Sequence, residues 1–494
     1  MWSGFFNNIA AAINLTVMGL VLVTISSYVE TGASEQSLVA SAGMIGAVSG
    51  QLIMGFLGDC LGRMRALGLT TVVILVGSLL SAYLPQGESL LTTLAICRFV
   101  VGFGVGGVYP LTAVASAEDK SGKGASSVLI VFSGQGWGQL LAPLLVYLLI
   151  SSDTHPEDLW RTTLALSAVP SALAMLLMIR DVRRRMQEEE TMEIVHRVVA
   201  DHPEIVELQE EQRQDDSEVE NVSFVQAFFN WKNFLRLCGT GGTWFIFDVT
   251  FYANVVFAPI VLKRVYGLEA NSTIKELAGP TCIVFVLALP GYYVALAVVQ
   301  RLGLKKLQII GFIVLAVLYG LMAATVNVLP SGILFSLYAA TFFVSNAGPN
   351  STTFCLPAQT FPKATRSTFS GMSAAMGKAG AVVGTAMFPP ILESGGAGAA
   401  LGLSSVVALL GALLTHFLVE SERPGKAIQY GDTSAVDLVE MSHTLFSDTN
   451  LDHPEPSKPK PMQQNTGAPR SPVKVPAGGS SAYQPIAKNV LDLT

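Results

Sequence analysis

Residues 89–116 read SLLTTLAICRFVVGFGVGGVYPLTAVAS, an apolar run broken by a single charge, Arg98. The run exceeds the roughly 20 mostly apolar residues that a helix needs to cross a bilayer core. Within it, Gly102, Gly104, Gly106 and Gly107 superficially resemble the glycine-rich turn of a dinucleotide site. No strand precedes them and the acidic partner of such a turn is missing, so that reading fails. Small residues in a lipid-length helix instead let neighbouring backbones approach closely.

Working outward, further runs of this kind fall at 5–30, 36–57, 66–84, 126–150 and 160–180, and again at 235–262, 276–299, 306–327, 331–357, 367–391 and 396–419. With 89–116 the layout is 6 + 6, which predicts an all-α membrane protein of 12 transmembrane helices in two six-helix halves. The halves are residues 1–180 and 235–420, joined by a soluble, partly helical loop over 181–234 and followed by a disordered tail over 421–494. The tail is rich in Pro, Ser, Gly and Lys and has no means of packing a core. Composition agrees: of 494 residues 51% are hydrophobic and only 13% charged, with a mean hydropathy of +0.50, too apolar for an ordinary soluble enzyme. The lipid bilayer is therefore this chain's first partner.

Several function classes fall away. A net charge of −6 offers no basic face to nucleic acid. Cys60, Cys97, Cys238, Cys282 and Cys355 are scattered without CxxC spacing, so neither a disulfide framework nor a metal site is expected, and no cofactor is implied. No nucleophile–base pair is legible, which argues against an enzyme. The first residues lack a basic n-region and a small-residue cleavage site, so the first run reads as a retained helix and not a signal peptide.

Basic residues set the orientation. Arg63 and Arg65 follow the second run, Lys120 and Lys123 the fourth, Arg301, Lys305 and Lys306 the eighth, Lys363 and Arg366 the tenth. These loops share one side with the central loop and both termini, and that side is expected to be cytoplasmic. Lys263 and Arg264 are the exception, and the sequon Asn271-Ser272-Thr273 falls in an outward loop. The segment Gly58-Asp59-Cys60-Leu61-Gly62-Arg63 has a weak echo in Gln300-Arg301-Leu302-Gly303-Leu304-Lys305, at the same place in the second half, as duplicated transporters show.

An ionisable residue inside a span costs several kcal/mol unless it is paired or faces a cavity. Arg98 is the only charge between Glu88 and Glu118, Asp248 the only one between Arg236 and Lys263, and Lys378 the only one between Arg366 and Glu393. Arg98 is either a structural charge, snorkelling or held by carbonyls, or a functional one grouped with a gate. Asp248 and Lys378 are deeper, of opposite sign and in the same half, and are read as functional. Trp244, Asp248 and Tyr252 recur every fourth residue, which stacks them on one helix face. The bland reading of the two aromatics is helix packing, but the carboxylate between them makes hydrogen-bonding work the better account. Gln135 and Asn350 are further amides beside helix-loosening glycines, and either serves a ligand or bridges helices.

These residues together resemble the phosphate:proton symporters of the major facilitator superfamily found in plants and fungi. The resemblance is carried by Gly348-Pro-Asn-Ser-Thr-Thr-Phe354 with Pro357 and Phe361-Pro362, Arg366-Ser-Thr368, Gly377-Lys378-Ala-Gly380, Gly55-Phe-Leu-Gly-Asp59 with Gly62-Arg63, Arg98-Phe99 through Tyr109-Pro110-Leu111, and Trp244 through Tyr252. It covers both halves and not the tail. It implies a major facilitator fold, inorganic phosphate and protons as cargo, and a phosphate cradle of Tyr109, Gln135, Trp244, Asp248, Tyr252 and Asn350 with Lys378 as the nearby cation. It further implies a cytoplasmic gate of Asp59, Arg63, Glu118 and Arg366.

The chain departs from the family in its acids. Val108 stands where an acidic residue precedes the tyrosine, Gly4-Phe-Phe6 is followed by Asn7 and Asn8 with no aspartate, and Gln359 replaces a common glutamate. Asp248 is then the remaining proton-coupling group: protonated it can donate to phosphate, ionised it repels it. Alternating access by rocking of the halves about a midplane site follows. Two alternatives stay open. One is an uncoupled or differently coupled carrier of an organic anion or organophosphate; the other is a phosphate sensor with little transport, signalling through the loop or tail. Tyr483-Gln-Pro-Ile486 resembles a sorting signal, so sorting or regulatory proteins are candidate partners there. The plasma membrane is the default location, with an endosomal or vacuolar membrane second.

Overall fold

The computed structural model describes residues 1–30, 33–84, 87, 89–118, 124–150, 154–200, 224–266 and 274–420, without the side chains at 33–34, 185–186, 188–200, 253, 255–266 and 389. The sequon at 271–273, Lys120, Lys123, the acidic part of the central segment and the tail with its Tyr483 motif lie outside the described residues.

All regular structure among the described residues is helical. The first half contains α1 (Trp2–Ser26), α2 (Ala33–Leu61), α3 (Arg63–Ala82), α4 (Leu90–Ala117), α5 (Gly124–Leu149), α6 (Pro156–Leu166) and α7 (Val169–Ala200). A short α8 (Phe224–Phe228) precedes the second half. That half contains α9 (Trp231–Tyr266), α10 (Ile274–Ala288), α11 (Pro290–Leu302), α12 (Leu304–Thr325), α13 (Ser331–Ala347), α14 (Pro349–Thr360) and, after a 3-10 turn, α15 (Arg366–Leu418).

The 12 expected spans are present, but several are not single helices. Span six is interrupted after Leu166 and resumes at Val169, and its helix runs on to Ala200, beyond the expected end at 180. The run past 180 is rich in Arg, Met and Glu, good helix formers that need no lipid around them. Span eight breaks between Ala288 and Pro290, where proline removes a backbone donor. Span ten breaks at Gly348, whose φ of −133° and ψ of −107° are not helical. Spans eleven and twelve form one run, α15, that reverses at Gly396 with φ 70° and ψ 179°, a backbone state suited to glycine.

Among the described residues, nine helical stretches are long and apolar enough to cross a membrane. That set leaves out α9, whose side chains at 253 and 255–266 lie outside the described residues, the α13–α14 pair and the first part of α15. Those three carry Asp248, the Gly348 break with Asn350, and Lys378. Burial is arranged for lipid: Leu148, Val317 and Leu80 are more than half exposed, whereas Asn7, Thr71, Gln51 and Ser351 are buried.

The glycine run of α4 does what close packing requires. A Cβ on Gly102 would strike the backbone of Gly43, and one on Gly106 the carbonyl of Ala47, both on α2; on the other side Gly104 abuts Ile74 of α3. The same device brings α15 against α9. Gly380 and Gly384 lie on the carbonyls of Phe245 and Val249, and Gly377 faces the Trp244 ring. A side chain at those glycines would push the helices apart, and the contact sets Lys378 opposite Asp248.

Candidate functional site

Deep in the bundle, Lys378 Nζ stands 3.4 Å from Asp248 Oδ2 and donates to the Tyr252 hydroxyl at 3.0 Å. Asp248 and Lys378 are 3% and 8% exposed, so both charges are withdrawn from solvent and each depends on the other. The separation is longer than the 2.7–2.9 Å typical of a tight charged hydrogen bond. Lys378 Nζ also lies 5.0 Å from the Tyr252 ring centroid and 5.9 Å from that of Tyr109, which belongs to α4 in the other half. The four-residue spacing of Asp248 and Tyr252 on α9 thus delivers both to one cation.

A neutral cluster adjoins it. Tyr292 of α11 accepts from Gln135 Nε2 at 3.3 Å and from Asn350 Nδ2 at 3.0 Å, joining α5 of the first half to α11 and α14 of the second. Asn350 also donates to Asn346 Oδ1 at 2.8 Å, and Asn346 donates to the carbonyl of Ala288 at 3.1 Å, which occupies that backbone group at the break in span eight. With two donors arriving at its oxygen, Tyr292 keeps its own hydroxyl hydrogen available as a donor. Aromatic rings connect the two clusters. Phe354 stacks on Phe132 at 4.0 Å and meets Tyr109 and Trp244 edge-on at 6.1 and 6.4 Å, while Phe132 packs on Tyr292 at 5.6 Å.

At the end of the bundle that carries the basic loops, the halves are locked by a second set of charges. Asp59 accepts from the backbone N–H groups of Ser367 (3.1 Å) and Thr368 (2.7 Å) and from the Thr368 hydroxyl at 2.7 Å. It thereby caps α15, whose positive N-terminal dipole favours an anion. Arg63 pairs with Asp59 at 3.2 Å and with Glu118 at 3.2 Å, and donates to the carbonyl of Lys363 at 2.5 Å. Arg366 pairs with Glu118 at 3.0 Å and donates to the carbonyl of Phe361. Glu118 therefore holds one arginine from each half.

The structure brings together Tyr109, Gln135, Trp244, Asp248, Tyr252, Asn350 and Lys378 in one region, and Asp59, Arg63, Glu118 and Arg366 in another. Arg98 joins neither. It lies near the start of α4, about 30 Å along the helix from Glu118, where Nη1 contacts Asn14 Oδ1 at 3.5 Å. Grouping it with the gate is corrected accordingly. Tyr292 and Phe132 escaped the sequence reading. Pro290-Gly291 before Tyr292 is the only local signal, since its partners come from two other helices, α5 and α14. The positions that lack acids are filled by neutral groups: Asn7 accepts from Thr71 at 2.9 Å, Asn8 donates to Thr112 at 3.0 Å while its own Oδ1 has no partner, and Val108 is fully buried.

The profile of the family described as Sugar (and other) transporter matches residues 2–423. The chain is 33% identical over 399 residues to the inorganic phosphate transporter PT2 of Toxoplasma gondii, covering 79% of this chain and 65% of that relative's length. It is 30% identical to inorganic phosphate transporter 1-1 of Arabidopsis thaliana, covering 79% of this chain and 84% of the relative, and 32% identical to the low affinity inorganic phosphate transporter 4 of Petunia hybrida, covering 70% and 72%. Among solved structures, the proton:xylose symporter XylE of the major facilitator superfamily matches with a TM-score of 0.68 at 17% identity, covering 85% of this chain and 94% of that one. The fucose:proton symporter FucP of E. coli matches with a TM-score of 0.60 at 13% identity, covering 85% and 98%.

Proposed function

The chain belongs to the sugar (and other) transporter family of the major facilitator superfamily, a multi-pass membrane protein, and from that premise we propose that it carries inorganic phosphate by proton symport. The observation that carries the proposal is the buried Lys378–Asp248 pair, 3.4 Å apart, with Tyr252 and Tyr109 around the same ammonium group. The names of the relatives supply the cargo, and the donors around the pair suit it. Phenol, indole and amide groups satisfy phosphate oxygens without the grip of several arginines, which favours release.

Asp248 is the coupling residue in this account. When it carries a proton, it donates to a phosphate oxygen and leaves Lys378 free to take the anion. When it loses the proton, the carboxylate repels phosphate and recaptures Lys378, so proton and phosphate leave together. The loose pair leaves room for that exchange of partners. Tyr109, Gln135, Trp244, Tyr252 and Asn350 orient the substrate, and Tyr292 holds the two amides in place.

The lock of Asp59, Arg63, Glu118 and Arg366 would be the cytoplasmic gate, closed in this structure, and its breaking would let the halves, residues 1–180 and 235–420, rock about the midplane. The plasma membrane is the proposed location. Uncoupled carriage is a second reading, favoured by the neutral Asn7, Asn8 and Val108 in the first half. Uptake of labelled phosphate into proteoliposomes separates the two. Accumulation that requires an inward proton gradient supports symport; equilibration indifferent to the gradient supports the uncoupled carrier, and no phosphate flux at all refutes both.

A further inference from the structure

Arg98 is 3% exposed, and its Nε and Nη2 have no hydrogen-bond partner. Its one polar contact, Asn14 Oδ1, is already taken: Ser78 Oγ donates to that oxygen at 2.9 Å and Ser167 Oγ at 3.2 Å, against 3.5 Å for the guanidinium. An amide oxygen has two lone pairs, so three donors converge on fewer acceptor sites. The ion pairs among the described residues include none to Arg98. Asn14, Ser78 and Ser167 are each no more than 3% exposed, so the cluster is closed to solvent and carries one net positive charge. Guanidinium does not shed its proton in a protein. An unpaired charge so placed is strongly destabilising unless something supplies negative charge.

The geometry points to a binding site for a halide-sized monovalent anion inside the first half, with Nε and Nη2 of Arg98 as its charged ligands. One positive charge is matched by one negative charge; a phosphate dianion would leave the cluster net negative. The site is separate from the central cluster, because Arg98 and Tyr109 are about 16 Å apart along α4. Its role is to complete the packing of α1, α3, α4 and the α6–α7 break around a neutralised arginine.

The test is the melting temperature of the full-length protein in detergent, titrated with sodium chloride or bromide against sodium gluconate at constant ionic strength. The wild type shows a saturable upward shift in halide that does not change between pH 6 and 8, since no ligand titrates there (on the order of these values). Asn14→Asp places a carboxylate among the same donors, so it melts as high in gluconate as the wild type does in chloride and loses the halide shift. Arg98→Gln loses the shift as well. A wild type that melts alike in both salts overturns the proposal, as does an Asn14→Asp protein that keeps the full shift. An equal shift from phosphate that Asn14→Asp abolishes overturns the choice of a monovalent ion.

Discussion

The two halves place polar groups in lipid by different means. Between α1 and α7, Asn7 is tied to Thr71, Asn8 to Thr112 and Asn14 to Ser78 and Ser167, all neutral, and the one buried charge among them, Arg98, has no acidic partner among the described residues. The second half instead holds an oppositely charged pair, Asp248 and Lys378, 3.4 Å apart, and a span broken at Gly348. The lesson concerns where proton chemistry can reside. Amides tied to hydroxyls form a scaffold that has no proton to exchange, whereas a loosely paired carboxylate and ammonium can change partners with substrate. On this account the first half is a passive wall that contributes Tyr109 and Gln135, and the second half does the coupling.

The comparison breaks most visibly at the ion pair. Asp248→Ala or Lys378→Met alone leaves an uncompensated buried charge, so gradient-driven uptake should fall at least about 100-fold and stability by roughly 3–5 kcal/mol, a breaking-of-pair effect. The double variant Asp248→Asn/Lys378→Met should regain most of the melting temperature without regaining uptake. If the double variant transports normally, the pair is only structural.

Next come the gate and the neutral cluster. Asp59→Asn removes the charge that caps α15 and pairs with Arg63, at a cost of about 1–2 kcal/mol. Its maximal uptake rate should drop several-fold with KM for phosphate unchanged, because Asp59 is remote from Lys378; a change confined to KM would contradict the assignment. Tyr292→Phe deprives Gln135 and Asn350 of a shared acceptor, and one unsatisfied buried polar group costs about 1–3 kcal/mol. It should raise KM on the order of tenfold and leave the pH dependence of uptake as in the wild type.

The smallest effect is expected in the first half. Asn8→Ala loses one hydrogen bond between helices, to Thr112, and one within its own helix, to the Gly4 carbonyl, the former worth about 1 kcal/mol, and should keep both uptake and its response to the proton gradient. Loss of the gradient response in that variant would show that the first half takes part in coupling after all.

Much of this was legible in one dimension. Run length located the spans because lipid demands a minimum of apolar residues and backbone groups satisfied within the helix. Trp244, Asp248 and Tyr252 were legible by their four-residue period, and Lys378 as the lone charge of its run. The breaks near Ser167 and at Gly348 were not, because hydropathy averages over a window and does not register a local loss of helical dihedrals. Tyr292 was hidden for another reason. Its function depends on α5, α11 and α14 meeting, and no local pattern encodes a meeting of three helices. The placement of Arg98 with the gate failed on distance: its position near the start of α4 already set it about 30 Å from Glu118.

The central claim, that proton coupling rests on Asp248 alone, is tested most directly with Asp248→Asn in proteoliposomes, comparing phosphate exchange at equal pH on both sides with accumulation under an inward proton gradient. The carboxamide is a permanent neutral stand-in for the protonated acid. The account predicts that exchange persists while accumulation is lost; an Asp248→Asn protein that still concentrates phosphate when driven by the gradient would contradict it.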